Sequence, residues 1–516
     1  MVVYNKVNEN AYYDSVTLMV ISSKISVVEG VRHAAVMMGT DHNKEIMKGS
    51  NILSAEGEKA SASDMIIGLE ADNDDVIKEV LAVVDEELQS KTTSDDDVKT
   101  KFRTIDMAAK RIGQLNLAVI SVPGKYAKNE AMKALNNDLN VLMFSDNVSI
   151  EEEVELKEKA LEKGLLMMGP DCGTAILNGV ALGFANKVSK GKIGIVGASG
   201  TGIQEVTTII DKNNSGITQA LGTGGRDLKE AVGGKMMLME LEALKMDSAT
   251  EVILIVSKPP SEVIMKKIIA AIKDIDKPVV TCFLGGDPSL VDESGALAME
   301  TLEDAAHAAV DLANGKEVSK ITFTIPTSQV EEYVRKEKEQ LKDSQTYIRG
   351  LFSGGTLCYE SILIMKKKEF NTYSNVALEG KYVLENPDVS KENTMLDMGE
   401  DYFTEGLPHP MLDTRLRVAR IKEEAKDEKV AVLLLDLVLG YGVHEDPAGD
   451  IAPAVKEAKR IAEQNGRYLS VVASICGTDK DPQNIEEQEE KLKEAGIIVM
   501  PSNAQATRLA SLILEK

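Results

Sequence analysis

The sequence predicts an α/β protein in which tandem parallel-sheet domains, Rossmann-like or flavodoxin-like, follow a small N-terminal α+β domain. From about residue 100 onward, short β-branched runs alternate with longer helical stretches, an order typical of parallel sheets flanked by helices. The chain has 516 residues, which is too long for a single hydrophobic core. A glycine turn between a strand and a helix occurs twice, as GASGTGIQE from residue 197 and as FSGGTLCYE from residue 352.

The first domain is expected over residues 1–95. The runs DSVTLMVIS, a helical VVEGVRHAAVMMG, SASDMIIGLEA and DVIKEVLAVVDEEL indicate a small α+β unit of ferredoxin-like type. The polar stretch QSKTTSDDD predicts a linker after it.

Three α/β blocks follow, over residues 100–188, 190–320 and 345–516. The last two each begin with a strand, a glycine turn and a helix, which predicts duplication of one α/β unit. A charged bridge, VEEYVRKEKEQLKDSQ, separates them. The predicted strands are LAVIS (117–121), LNVLMF (139–144), KIGIV (192–196), VILIV (252–256) and KPVVTCFL (277–284), followed by others within VAVLLLDLVLGYG, YLSVVASICG and AGIIVMPS.

Composition excludes several classes of function. Asp and Glu number 83 against 59 Lys and Arg, for a net charge of −24, so nucleic acid and anionic membranes are unfavourable partners. The four Cys residues are far apart without CxxC spacing, so neither disulfides nor a metal site is expected. With no apolar run of the ~18 residues that span a bilayer and no signal-peptide pattern, a cytoplasmic protein with small-molecule or protein partners is expected.

The two glycine turns are candidate anion sites. A helix that begins at the carboxyl edge of a sheet presents unpaired N–H groups and a partial positive charge. Glycine allows a ligand to approach the backbone, and hydroxyl groups add donors. The ordinary alternative is that these residues are only helix caps. The residues concerned are Ser199, Gly200 and Thr201 in the first turn and Ser353, Gly354, Gly355 and Thr356 in the second.

Glu205 and Glu360 follow the two turns at the same offset. Either could take part in catalysis, or simply interact favourably with the helix dipole. A third strand-to-helix junction, LVLGYGVHEDPAGD, places Gly440, Gly442 and His444 before a proline-capped helix. His444 is a candidate for phosphate binding or proton transfer, with a surface histidine as the alternative.

Other candidates are weaker. GPDCGT follows a buried strand, so Asp171 and Cys172 are expected at a sheet's carboxyl edge, where α/β proteins bind ligands. No basic residue beside Cys172 lowers its pKa in the sequence, so a buried thiol is favoured over a nucleophile. His33 and His307 lie in helical patterns, and His409 lies in a predicted loop with no identifiable partner.

Residues 100–516 resemble the succinyl-CoA synthetase superfamily. GPDCGT is similar to the family's G-P-N-C turn, KIGIVGASGTGIQE to the phosphate-binding helix start of its α subunit, and ALGTGGRD to the loop that follows. LDMGED and VLLLDLVLGYGVHED resemble the ligase domain of the β subunit. The resemblance implies a CoA-binding-like Rossmann domain over 100–188, an α-subunit-like ligase domain over 190–320 and a β-subunit-like ligase domain over 345–516. It also implies phosphate-facing helix starts in the ligase domains.

Three departures from that pattern bear on the chemistry. Where the α subunit carries its phosphohistidine in G-H-A-G-A, this chain has DESGALA, with Glu293 at the position of the histidine. No ATP-grasp domain and no N-terminal CoA-gripping glycine turn are found. Neither ATP nor CoA is therefore expected as a cofactor.

The fusion of α-like and β-like ligase domains behind an unusual N-terminal unit resembles the FdrA family. That family is labelled as acyl-CoA synthetases, and it is associated with a carbamoyltransferase of allantoin breakdown that interconverts carbamoyl phosphate plus oxamate with oxalurate plus phosphate, together with separate partner subunits. The resemblance implies a carbamoyltransferase component that binds these anions and acts with partner subunits or as a homo-oligomer. Two alternatives remain: an acyl-CoA synthetase that uses CoA and ATP with an ATP-grasp partner, and a noncatalytic scaffold or ligand sensor. For the leading hypothesis, the turns at Ser199–Thr201 and Gly440–His444 are expected to hold phosphate, and Ser353–Thr356 the carboxylates of the second substrate.

Overall fold

The computed structural model describes residues 2–9, 11, 13, 15–93, 102–319, 321–405 and 407–515. The chain divides into two compact units, one of Met1–Gln114 with Thr404–Pro408 and the other of Leu115–Phe403 with His409–Lys516. The predicted linker at 89–97 begins inside a helix, and its residues 94–97 lie outside the described residues. None of the helices in the described ranges combines the length and the apolar character needed to cross a bilayer.

The first unit contains an antiparallel sheet with strand order β1-β3-β2. Its core is formed by apolar side chains of α1, β3 and α3, among them Ile21, Leu69 and Val80, which are fully buried. The strand order and the antiparallel pairing agree with a ferredoxin-like unit of three described strands, in which a further helix, α2, lies between β2 and β3. The elements are β1 Val2–Asn8, α1 Ser15–Ser26, β2 Val31–Met38, α2 Asp41–Gly49, β3 Met65–Ala71, α3 Asp74–Thr93 and α4 Ile105–Arg111.

The prediction of a helix over VVEGVRHAAVMMG is wrong, because residues 31–38 form β2. His33 accordingly lies in a strand. Ala and Met favour helices, but β2 pairs antiparallel with β3 along its length. Tertiary pairing therefore overrides local propensity here.

The second unit begins with a small parallel sheet of order β4-β5-β6. Helix α6 starts at a capping box in which Ser149 and Glu152 cap each other's backbone. The elements are β4 Leu117–Ile120, α5 Gly124–Asn136, β5 Asn140–Met143, α6 Ile150–Lys163 and β6 Met167–Met168.

A second sheet has the order β13-β12-β11-β9-β10-β7-β8. Its strands from β9 to β13 are parallel, whereas β7 and β8 form an antiparallel hairpin at one edge. The hairpin comes from residues 174–183, which the sequence assigned to the preceding block. The elements are β7 Thr174–Leu177, β8 Val180–Gly183, β9 Lys190–Gly197, α7 Gly200–Lys212, β10 Ile217–Gly222, α8 Lys235–Met246, β11 Val252–Ser257, α9 Glu262–Lys273, β12 Val279–Phe283, β13 Leu297–Ala298 and α10 Leu302–Ala313.

A third sheet is parallel, with the order β15-β16-β14-β17-β18-β19. Helix α11 Thr327–Lys338 precedes it and overlaps the first part of the charged bridge. The remaining elements are β14 Tyr347–Phe352, α12 Gly355–Lys367, β15 Thr372–Tyr373, β16 Asn393–Asp397, α13 Asp401–Thr404, α14 Arg415–Glu424, β17 Val430–Val438, α15 Pro447–Gln464, β18 Ser470–Cys476, α16 Ile485–Glu494, β19 Ile498–Met500 and α17 Asn503–Leu514.

We call residues 174–313 the first half and residues 345–515 the second half. Helices α7 and α10 of the first half pack against α12 and α17 of the second. One hydrophobic core runs through these helices and both sheets, with Ile210, Ala309, Ile362 and Leu509 among its buried members. This shared core fixes the two halves against each other and brings their glycine turns together.

Candidate functional site

The two predicted glycine turns meet face to face. Ser199 Oγ in the first turn lies 2.5 Å from Thr356 Oγ1 in the second. The backbone N–H of Thr356 donates to Thr201 Oγ1 at 3.3 Å. The N-termini of α7 and α12 therefore share one junction, as an anion site built from both turns requires.

Close approach at this junction depends on glycine. A Cβ added at Gly354 would lie 3.1 Å from Thr201 Cγ2, and one added at Gly355 would lie 2.4 Å from Asp397 Oδ2. A larger residue at either position would push the turns apart or displace the carboxylate. The same packing leaves Ser199 and Gly355 half-buried, so the junction is reached from solvent at these residues.

The second turn is already occupied by a carboxylate of the protein. The N–H groups of Ser353 and Gly354 donate to Asp436 at 2.8 and 2.7 Å, and Ser353 Oγ donates at 3.1 Å. Arg417 balances the Asp436 charge with a hydrogen bond of 2.9 Å. This contradicts the expectation that the amides of Ser353 and Gly354 hold a substrate carboxylate.

A further carboxylate, Asp397 at the end of β16, lies beside the same turn. Burial raises the pKa of Asp397 to about 6. Its Oδ1 accepts the N–H of Gly399 at 3.0 Å. Two acidic side chains thus flank the start of α12.

Among the described residues, the strands beside the first turn carry no equivalents of these two carboxylates. By strand register, Gly222 takes the place of Asp397 and Val256 that of Asp436. Ser199 caps α7 by accepting the N–H of Gly202 at 3.2 Å, while a helix leaves its first amides without intrahelical partners. The start of α7 is therefore the more favourable of the two for an external anion.

Glu205 and Glu360 lie in the interface between the halves rather than at the turns. Both are buried, at 3% and 1% exposure. Glu205 Oε1 accepts the N–H of Asn503 at the start of α17 at 3.1 Å, and Glu360 Oε1 accepts the N–H of Leu302 at the start of α10 at 2.8 Å. Each glutamate thus caps a helix of the other half.

Burial raises the pKa of both glutamates, that of Glu360 to about 8. Glu303, the neighbouring carboxylate, is paired with Arg508 at 2.9 Å. The sequence predicts a catalytic role for Glu205, whereas in the structure Glu205 caps α17.

The loop from Gly440 to His444 uses most of its amides within the protein. The N–H of Gly440 donates to Gln483 at 3.0 Å, that of Tyr441 to Ala185 at 2.9 Å, and that of His444 to Met411 at 2.7 Å. The backbone at Gly440 and Gly442 has positive φ, at 122° and 76°, which glycine adopts without strain. The loop therefore packs on the first half instead of presenting a free anion site.

Both ring nitrogens of His444 face protein groups. Nδ1 accepts the N–H of Asp446 at 3.1 Å, and Nε2 lies 3.4 Å from Asp450 Oδ2. The predicted role of His444 in phosphate binding or proton transfer is not supported by this geometry.

His409, which the sequence left without a partner, lies near the junction. Its ring contacts that of Phe184, with centroids 5.7 Å apart, and Phe184 also borders Gly442. A Cβ added at Gly399 would lie 2.5 Å from His409 Nε2 and 3.2 Å from Ser353 O. These contacts bring His409 to the second turn from a distant part of the chain.

Asp171 and Cys172 occupy the turn before the hairpin. Asp171 has a φ of 57° and an exposed side chain, and partial desolvation raises its pKa to about 6. Cys172 is buried against Gly222, and burial raises its pKa to about 12. The preference for a buried thiol over a nucleophile is confirmed. All four Cys residues are free and buried.

One cation that the sequence analysis missed lies at the junction. Lys258 directly follows β11, the strand next to the first turn, and its Nζ lies 4.7 Å from the Tyr359 ring of α12. Its side chain is exposed and acts electrostatically on Asp397. In the described part of the chain it forms no ion pair within 4.0 Å, so its charge is available to a ligand.

Three family models match the chain. The CoA-ligase model matches residues 351–513, the CoA binding domain model residues 188–285, and the model described as AllF, heavy metal-associated domain, residues 1–103. The CoA binding domain match thus falls on the first half and not on residues 100–188, to which the sequence analysis assigned it.

The N-terminal unit lacks the thiolate ligands of a soft-metal site. Soft metals favour thiolate ligands, and residues 1–103 contain no Cys. Within the described ranges, no three His, Cys, Asp or Glu side chains come together in a way that could hold a metal ion.

The chain is 43% identical over 508 residues to the Uncharacterized protein YahF of Escherichia coli K12, covering 98% of this chain and 97% of that protein. It is 26% identical over 191 residues to the alpha subunit of the ADP-forming succinate–CoA ligase of Staphylococcus epidermidis, covering 36% of this chain and 61% of that subunit. Among solved structures, the dinucleotide-forming acetyl-coenzyme A synthetase 1 of Ca. Korarchaeum cryptofilum aligns over 80% of this chain and 84% of that chain at 17% identity, with a TM-score of 0.35.

Proposed function

Since the chain belongs to the FdrA family of the succinyl-CoA synthetase superfamily, we propose that it is the FdrA-type component of a carbamoyltransferase in allantoin breakdown. The reaction interconverts carbamoyl phosphate plus oxamate with oxalurate plus phosphate. The family supplies a CoA-ligase-like fold; the identity of the reaction is our proposal.

The observation that carries the proposal is the junction of the two turns, with Ser199 Oγ 2.5 Å from Thr356 Oγ1. The start of α7 supplies amide donors, a helix dipole and two hydroxyl groups at one point. The strands beside it carry Gly222 and Val256 where those beside α12 carry Asp397 and Asp436. Preorganised donors of this kind stabilise a departing phosphate or a carbonyl oxyanion. Phosphate is therefore assigned to the Ser199–Thr201 turn.

The proposed chemistry needs no phosphoryl carrier. Glu293, at the position of the superfamily's phosphohistidine, has a side chain 86% exposed and lies 3.8 Å from Lys273. Carbamoyl phosphate already contains an activated acyl group, so the site has mainly to orient it against the oxamate nitrogen. Neither ATP nor CoA takes part in this scheme.

The second substrate is assigned a different place from the one the sequence suggested. Because Asp436 holds the Ser353 and Gly354 amides, we place the carboxylate of oxamate beside Lys258, an exposed cation that forms no ion pair among the described residues. We expect partner subunits to complete the site. The protein is proposed to act in the cytoplasm.

The test is incubation of the purified protein with oxalurate and phosphate, alone and with candidate partner subunits, while carbamoyl phosphate is followed by phosphorus NMR. Formation of carbamoyl phosphate by the wild-type protein supports the proposal. The rate should fall in a Ser199→Ala/Thr356→Val variant and be retained in Lys266→Ala, a control on the exposed surface. Failure in every combination rejects the reaction. Phosphate binding without turnover would then favour a ligand sensor.

A second candidate is an acid–thiol ligase completed by an ATP-grasp partner. It is favoured by one observation: the CoA binding domain match over 188–285 contains the Ser199 turn. Tight CoA binding in calorimetry, or nucleotide-dependent thioester formation, would support this function over carbamoyl transfer.

A further inference from the structure

We infer that His409 is a catalytic residue of the proposed reaction, in which its neutral imidazole donates a hydrogen bond from Nε2 to an oxygen of the anion held at the Ser199 turn. The inference rests on the proposed function for the identity of that anion. It assigns the donor role to a histidine other than His444.

The hydrogen bonding of His409 fixes its tautomer. The backbone N–H of Met411 donates to Nδ1 at 3.2 Å, so Nδ1 must carry a lone pair. In a neutral imidazole the proton then lies on Nε2. Nε2 is therefore a donor, and its direction is set by the bond on the other side of the ring.

The donor lies close to the second turn. A Cβ added at Gly399 would lie 2.5 Å from Nε2, and it would lie 3.2 Å from Ser353 O at the second turn. Gly354, the next residue of that turn, is in contact distance of Thr201 in the first turn. His409 Nε2 thus lies beside the second turn, which itself packs on the first turn.

A second set of contacts leads to the first turn from the other face of the ring. His409 packs on Phe184, whose carbonyl accepts a hydrogen bond from Thr174 Oγ1 at 2.7 Å. Thr174 Oγ1 in turn would lie 3.2 Å from a Cβ added at Gly200. The ring is therefore held between the segments that border both glycine turns.

The surroundings keep the ring neutral. Burial, and next to it the positive charge of Arg417, lower the pKa of His409 to about 4. A protonated ring would also turn Nδ1 into a donor facing the Met411 N–H. A ring that stays neutral near pH 7 keeps its Nε2–H available as a donor to an oxyanion.

In the transfer step, the oxamate nitrogen forms a bond to the carbamoyl carbon and the bond from that carbon to the phosphate oxygen breaks. Phosphate leaves with the bonding electron pair, and the nitrogen loses a proton to solvent. His409 gives up no proton; its Nε2–H stabilises negative charge on phosphate. Removing one such donor typically lowers the rate by about 10²–10³-fold.

The test compares His409→Phe, which keeps a ring against Phe184 but has no donor, with His409→Gln, whose amide can donate from nearly the same position. His33→Gln in the first unit is the matched control, and thermal unfolding monitors folding. We expect phosphate affinity in calorimetry to fall about tenfold or more in His409→Phe, to be largely kept in His409→Gln, and to be unchanged in His33→Gln. Turnover is expected to follow the same order.

A measurement on the unmodified protein removes dependence on how the variants fold. The chain has five histidines, and nitrogen-15 NMR of the imidazoles is expected to show His409 as the Nε2–H tautomer, with a shift of that resonance on addition of inorganic phosphate. Equal phosphate affinity in wild type and His409→Phe, an Nδ1–H tautomer, or no phosphate binding at all overturns the inference. Phosphate binding that depends on His409 without any carbamoyl transfer would uphold the inference and reject the proposed reaction.

Discussion

Glu205 and Glu360, which occupy equivalent positions after the two glycine turns, each cap a helix that belongs to the opposite half of the molecule. Glu205 accepts the N–H that starts α17, and Glu360 accepts the N–H that starts α10. Asn503 also donates from its side chain to Glu360 at 2.7 Å. These reciprocal caps hold α7 and α12, whose first turns form the candidate site, against α17 and α10.

Stability is predicted to depend on pH through Glu360. Its folded pKa of about 8 is above that of an unfolded glutamate, so its stabilising contribution is complete below about pH 4.3 and is lost as pH rises through 8. Glu205 and Glu303 are the carboxylates that favour its neutral form. Glu360→Gln should gain stability relative to wild type as pH rises, by up to about 1.4 kcal/mol per pH unit. Urea unfolding of both proteins between pH 5.5 and 8 measures this difference; a difference that stays constant with pH would contradict the assignment.

Glu205 is predicted to act as a cap and not as a general base. Glu205→Gln keeps an acceptor for the Asn503 N–H and should bind phosphate and turn over like wild type. Glu205→Ala loses the cap and leaves a cavity, for which we expect a loss of about 2 kcal/mol or more in the free energy of unfolding. Parallel unfolding and activity measurements on the two variants separate the roles. Loss of turnover in a stable Glu205→Gln would restore the catalytic role.

Gly355→Ala is predicted to damage the junction. The new Cβ would lie 2.4 Å from Asp397 Oδ2, so the carboxylate or the start of α12 must shift, at a cost of about 1–3 kcal/mol. Phosphate affinity should fall with it. Gly380→Ala is the control in the same half, since its Cβ would meet no atom within 4 Å. Calorimetry and thermal unfolding measure both effects, and an unaffected Gly355→Ala would mean that the turns do not need this close approach.

Lys258→Ala is predicted to raise the KM for oxalurate about tenfold, the low end expected for a lost hydrogen bond to a charged group, because the lysine is exposed. Lys258→Arg should retain part of the effect. Lys266→Ala, which removes an exposed lysine paired with Glu262 at 2.7 Å, should leave KM unchanged. Added salt should weaken oxalurate binding in wild type more than in Lys258→Ala. If KM were equal in all four proteins, Lys258 would have no part in the site.

The strands and the two glycine turns could be predicted because their signals are local. The apolar run before Ser199 and the Gly and Thr residues after it specify a strand, a turn and a helix within about a dozen residues. The same is true at Ser353. The prediction of parallel sheets is confirmed, because an alternation of strands and helices leaves few other arrangements of the chain.

The chemistry inside the turns could not be predicted, because it depends on residues far apart in the chain. Asp436 binds Ser353 across 83 residues, and Glu205 binds Asn503 across 298. The Met411 N–H that bonds His409 is local, but the packing of its ring on Phe184 arises only when the sheets are assembled. The glycines beside His444 suggested an anion site. In the structure they allow the loop to pack on Ala185.

The hairpin β7–β8 has a bearing on fragment design. It completes the edge of the first half's sheet, and the next residues are tied to the second half, since Ala185 pairs with Tyr441 and Asn186 donates to Leu439 O at 2.8 Å. A truncated protein that starts at residue 190 would lack β7 and β8, so β10 would become an unpaired edge strand. It would also lose the contacts of Ala185 and Asn186 with the second half. A chimaera of two homologues should therefore have its crossover before Thr174. The hairpin and the residues that contact the second half then come from the same parent as both halves.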